Sequence, residues 1–201
     1  MNDSKEICLY FDDNVNYNPM TIAQELCNRY KELGNPILLP VSKDGRAPVI
    51  IFQENTEFFL RCNMETLNFV VNHNYFDKLE GIIFDIVDTF EEENVKFVRI
   101  GYVNNLFFNK EKIDVVRDIY LKEDKTSDME EFQLFLYKEL STKYGNINAW
   151  ERVISEGNRK HELLMQYDFN SRQDEKQEFD MKYIKEFIKV SNEYIESRTN
   201  I

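Results

Sequence analysis

Glycine is scarce in this chain. Its six residues, at 34, 45, 81, 101, 145 and 157, never fall at a phosphate-cradling spacing. Without G-x-G-x-x-G or G-x-x-x-x-G-K-[ST], no strand-to-helix turn wraps a nucleotide's phosphates in backbone N–H groups. A G-x-S-x-G elbow and an H-E-x-x-H helix are missing too, which removes the common hydrolase and metalloprotease signatures. Two histidines, His73 and His161, and three cysteines, Cys8, Cys27 and Cys62, stand at no zinc-ligand spacing and form no Cys-x-x-Cys pair. The expectation is therefore no cofactor, no metal site and three buried, reduced thiols. No apolar run approaches the roughly 18 residues that span a bilayer, and the polar start Met1-Asn2-Asp3-Ser4-Lys5-Glu6 lacks a signal-peptide core. A cytoplasmic protein without membrane contact is expected.

Positive charge is the second shortage. With 25 basic against 37 acidic residues the net charge is −12, and the basic residues are dispersed. Such a field repels phosphate backbones, so direct nucleic-acid binding is not expected. A solvated acidic surface accounts for the charge most simply; the sharper reading is a face that engages a basic protein partner. Aromatic residues, by contrast, are plentiful. Sixteen Phe and eleven Tyr in 201 residues supply the apolar area that repays backbone ordering, and a chain of this length buries about 70% of its unfolded surface.

Hydrophobic spacing gives the order of elements. Ile7 to Phe11 reads as a strand ended by the polar turn Asp12-Asp13-Asn14. Asn18-Pro19 opens a helix that Gly34-Asn35-Pro36 stops. Strands at Ile37 to Val41, Pro48 to Phe52, Glu57 to Asn63 and Thr66 to Asn72 form an antiparallel meander. Tyr75 to Glu93 is the clearest helix, with Phe76, Leu79, Ile83, Ile86, Val87 and Phe90 on one stripe. Its acidic end, Glu91-Glu92-Glu93, opposes the helix dipole and calls for solvent or a basic group. Val95 to Phe108 is a long strand, followed by a helix near Glu111 to Leu121 and a polar loop. Phe132 to Ser141, Ile147 to Ser155 and His161 to Asn170 make a second meander, and a helix from about Glu175 to Ser197 closes the chain.

The two halves, 1–94 and 95–201, thus share one order: strand, helix, antiparallel strands, helix. The fold class is α+β, with antiparallel sheets, helices outside and a duplicated unit forming one compact domain. Val95 to Phe108 then starts the second half, as counterpart of Ile7 to Phe11 and seam between the units.

No set of residues in the sequence defines a catalytic centre, and none is assigned. Asp12 and Asp13 sit where carboxylates hold a cation or act as a base, although an Asx turn explains them. Arg99 lies among apolar neighbours in the seam strand. It must reach solvent or a carboxylate such as Glu80, Asp85 or Asp168, or serve as an anion-binding arginine between the halves. Arg61 lies in the first meander. Trp150, the sole tryptophan, is either core or an interface anchor. His73 and His161 are read as satisfied turn or strand-end histidines.

Tyr75-Phe76-Asp77-Lys78-Leu79-Glu80, Val98-Arg99-Ile100-Gly101-Tyr102-Val103-Asn104 and Leu163-Leu164-Met165-Gln166-Tyr167-Asp168-Phe169-Asn170 carry a resemblance. In these pieces the chain resembles a sporadically distributed family of bacterial and phage-linked proteins. The Arg-Tyr pair usual in that family after the glycine is Tyr102-Val103 here. The resemblance implies architecture and a mobile or defence-related context, not chemistry. In outline the second meander and helix are also similar to SecB-type export chaperones. The functional expectation is a non-catalytic, acidic protein-binding protein, such as an inhibitor, immunity or antitoxin-like factor. A holdase chaperone, homo-oligomeric by nature, and an enzyme using Asp12, Asp13 or Arg99 are the alternatives.

Overall fold

In the computed structural model, alternation of apolar and polar residues builds a sheet with two unlike faces. Ile7, Leu9 and Phe11 of strand β1 (Ser4–Phe11) are buried, while Glu6, Cys8 and Tyr10 between them are only partly so. The structure describes residues 3–12, 19–30, 35–38, 50–53, 58–62, 66–72, 76–92, 95–109, 115, 132–155, 162–171 and 179–199.

Along the chain follow helix α1 (Pro19–Arg29), strands β2 (Ile37–Leu38), β3 (Ile50–Gln53), β4 (Phe58–Cys62) and β5 (Thr66–Asn72), and helix α2 (Phe76–Glu92). Then come β6 (Phe97–Asn109), β7 (Phe132–Thr142), β8 (Gly145–Ser155), β9 (Glu162–Ser171) and helix α3 (Met181–Thr199). The nine strands form one sheet in the order β2-β3-β4-β5-β1-β6-β9-β8-β7, antiparallel at each of its paired neighbours. The α+β class stands. Of the two packings open from sequence, edge to edge or face to face, the segments 1–94 and 95–201 adopt the first, pairing β1 with β6 in a single sheet. Read outward from that pair, each side places first the last strand of its meander, β5 or β9, and then the earlier ones.

One face carries the core. Phe69, Ile7, Tyr102, Phe169 and Ala149 are successive cross-strand partners from β5 to β8, and all five are buried. Against this face α2 sets Phe90, whose ring lies 5.1 Å from Phe11 and 5.3 Å from Phe97. Helix α3 sets Tyr194 edge-on to Tyr167 and Phe169 at 6.3 and 5.9 Å. Ala23 and Leu26 of α1 belong to the same core. A bulge near Tyr10 and Phe11 switches the parity of β6, so that Phe97 is buried although Arg99, two residues on, faces the other way.

Helix ends follow their caps. The last helix starts at Met181, later than spacing suggested, because the Asp180 carboxylate accepts the Tyr183 backbone N–H at 2.9 Å and fixes the first turn. Residues 175–178 of that expectation lie outside the described residues, as does nearly all of the helix expected near Glu111 to Leu121. At the acidic end of α2, Arg29 of α1 bridges Glu92 at 3.6 Å, the basic group its dipole calls for. A half-buried ion pair ties α3 to β8: Glu151 is 1% exposed and its Oε2 meets Arg198 Nε at 3.1 Å.

Candidate functional site

The second face of the sheet meets no helix among the described residues, and its side chains follow from register. One row runs Asn68, Cys8, Gly101, Asn170, Asn148, and the next runs Val70, Glu6, Val103, Asp168, Trp150, Tyr137. Neighbouring strands lie about 4.8 Å apart, so directly opposed side chains touch. Gly101 presents no side chain in the middle of the first row, and a hollow of about 290 Å³ opens there. Its walls are Glu6, Cys8 and Tyr10 of β1, Asn68 of β5, and Asp168 and Asn170 of β9. Arg99, Gly101 and Val103 of β6 complete it. The hollow therefore straddles the seam between the two halves.

Its polar groups are chained together. An Arg99 guanidinium nitrogen donates to Asn170 Oδ1 at 2.7 Å, and Asn170 Nδ2 donates to Asp168 Oδ1 at 2.6 Å. The guanidinium also lies 4.9 Å from the Tyr10 ring centre. Arg99 was expected to face solvent, meet a carboxylate or bind an anion; among the described residues it is linked to the Asp168 carboxylate through the Asn170 amide, with the Tyr10 ring beside it. Burial, and after it the charge of Asp168, pushes the Glu6 carboxyl above its ordinary range. Burial likewise raises the Cys8 thiol to about 11, so it stays protonated and weakly nucleophilic. The Asn68 Oδ1 carbonyl is shielded from solvent and has no hydrogen-bond partner.

Beside the hollow stands an aromatic ridge. Trp150, opposite Asp168, is 48% exposed, Tyr137 51% and Phe135 58%. The Trp150 and Tyr137 rings lie 4.7 Å apart, and Arg152 lies over Phe135 at 4.9 Å.

The residues singled out from sequence divide accordingly. Arg99 lines the hollow, and Trp150 is exposed rather than core. Arg61 is exposed on β4 opposite Asn68, one strand beyond the hollow. Asp12 is not in its walls; its backbone N–H donates to the Lys96 carbonyl at 3.2 Å. Asp13, His73 and His161 lie outside the described residues. Of the cysteines, Cys8 and Cys27 are in no disulfide and only partly buried, which corrects the fully buried expectation: Cys8 is on the uncovered face. Tyr10 was missed because reading Ile7 to Phe11 as one apolar run hid its alternation, and Glu6, Asn68 and Asn170 because only the strand registers bring them together. Among the described residues no group of three His, Cys, Asp or Glu is placed to hold a metal ion, and no helix is long and apolar enough to cross a membrane.

Fold and site together define an α+β protein whose single antiparallel sheet has one helix-covered face and one face bearing a charged hollow and an aromatic ridge. Neither a protein-family model nor a curated protein matches the chain.

Proposed function

We propose that this is a non-catalytic binding protein that holds another protein on the uncovered face of its sheet, as an inhibitor, immunity or antitoxin-like factor does. The carrying observation is the ridge of Phe135, Tyr137 and Trp150, about half exposed, beside a hollow with charged walls. Tyrosine, tryptophan and arginine dominate binding energy at protein interfaces, since they bury large area at small entropic cost. The holdase alternative asks for a broad apolar groove. The described face interleaves Asn68, Asn105, Gln166 and Asn170 with its aromatics, which supports a specific partner instead.

The test is affinity capture from the native host with three baits: the unaltered chain, a Trp150→Ala/Tyr137→Ala double variant, and a Lys189→Ala variant altered on α3. A protein retained by the first and third baits and lost from the second supports the reading. Equal recovery by all three, or none above background, refutes it.

A further inference from the structure

The hollow over Gly101 holds more negative charge than its own cation answers. Its walls carry two carboxylates, Glu6 and Asp168, and one guanidinium, Arg99. That guanidinium is engaged by Asn170 and the Tyr10 ring. Among the described residues no donor reaches Glu6 and neither carboxylate is in an ion pair; Asp168 accepts only from Asn170. The shielded Asn68 Oδ1 is a further acceptor without a donor. The shielded Asn68 oxygen is costly to leave unpaired, and the partly buried carboxylates carry part of the same cost. The raised Glu6 carboxyl reports the same imbalance, since burial and the Asp168 charge both oppose its ionisation.

Glu6 and Asp168 flank Val103 in one cross-strand row, two strand spacings apart, or about 10 Å along the backbone. Trp150 stands opposite Asp168 in the same row, with Tyr137 beyond it. A planar guanidinium offers N–H groups in two directions at once and stacks on aromatic faces, which an ammonium does less well. An anion would meet two carboxylates for one engaged arginine.

We propose that the hollow receives one arginine side chain from the protein partner. Glu6 and Asp168 accept its N–H groups, and the Trp150–Tyr137 ridge covers its stem. This rests on the reading that the uncovered face binds a protein, and it names the partner chemistry: a basic segment meeting a chain of net charge −12.

The test uses n-butylguanidinium as probe, with n-butylammonium and butyrate at equal ionic strength. Binding is followed by the Gly101 backbone amide and the Asn68 and Asn170 side-chain amides in NMR, and by fluorescence of the sole tryptophan. Saturable shifts with butylguanidinium, weaker shifts with butylammonium and none with butyrate are expected. Asp168→Asn and Glu6→Gln, on different strands, should each weaken the guanidinium probe about tenfold, with folding checked by circular dichroism. Saturation by butyrate instead makes Arg99 an anion receptor and overturns the proposal, as does a Gly101 signal unmoved by every probe. The two readings fail separately. If the aromatic double variant loses a partner while guanidinium leaves the hollow unchanged, the docking face holds and the arginine receptor does not. If guanidinium binds and the partner survives the aromatic change, the hollow's selectivity holds while the face, and so the partner arginine, fails.

Discussion

Gly101 is where fold and site make opposite demands, so its substitution separates them. Glycine within a strand costs about 0.5–1 kcal/mol relative to alanine, because the unfolded chain gives up more freedom. At Gly101 a Cβ would lie 3.4 Å from Asn170 Oδ1, 3.8 Å from the Phe169 carbonyl oxygen and 4.0 Å from Cys8 Cβ. Those are ordinary contacts, so alanine enters without moving the backbone and the entropic gain survives. Gly101→Ala is therefore expected to stabilise the chain by about 0.5–1 kcal/mol, roughly 1–4 °C in Tm for a protein of this size.

Gly101→Val adds two methyl groups beyond that Cβ, and at least one must press on Asn170. Displacing Asn170 breaks the links from Arg99 and to Asp168. The valine variant should lose about 1–3 kcal/mol through overpacking and should no longer bind the guanidinium probe. Urea denaturation gives the stabilities, and NMR titration gives the binding. A destabilised alanine variant would refute the steric reasoning, because nothing at 3.4 Å or beyond accounts for it. A valine variant that binds as well as the unaltered chain would show that the floor of the hollow is not part of the site.

Three further outcomes follow from the geometry. Glu6 has a raised carboxyl in the folded chain, so the folded state holds its proton more tightly than the unfolded state. Stability from this group is fully present below the unfolded value near 4.5 and is lost as pH rises through the folded value. Glu6→Gln should thus raise Tm at pH 7 and leave it unchanged near pH 4; Cys8, Tyr10, Arg99 and Asp168 are the other titratable groups facing it, and an equal gain at both pH values would exclude the linkage. Arg198→Met removes the guanidinium that lies 3.1 Å from the Glu151 carboxylate, 1% exposed. Breaking a buried pair costs about 3–5 kcal/mol, and solvent at the partly exposed guanidinium lowers this to about 2–3 kcal/mol; urea melts should show the loss and its partial recovery in Glu151→Leu/Arg198→Met. At the β7–β8 hairpin Gly145 has φ of 150°, so Gly145→Ala is expected to cost about 1–3 kcal/mol, seen as faster amide exchange around Thr142, whose hydroxyl accepts the Tyr144 and Gly145 N–H groups at 3.1 Å.

What the sequence could disclose was limited by whether a signal is local. Leu163, Met165, Tyr167 and Phe169 alternate with Gln166, Asp168 and Asn170, so the two faces of β9 are readable from its own residues. The same parity on β8, with Ile147, Ala149 and Val153 inward, turns Trp150 outward. It also turns Glu151 inward, which no local rule would choose for a carboxylate; Arg198 and the Tyr194 hydroxyl, both from α3, meet it there. The hollow depends on a pairing of the same kind. Cys8 opposite Gly101, and Gly101 opposite Asn170, are matches between distant segments set by the β1–β6 and β6–β9 registers. The expectation that the Val95 to Phe108 strand pairs with the first half was within reach, because Ile7 to Phe11 was read as its counterpart. The partners of Arg99 were not, since charge bookkeeping pointed to a carboxylate whereas register brought an amide and a tyrosine ring. A site built where two halves meet is written in neither half alone, and here it is the missing side chain of Gly101, rather than any reactive group, that opens it.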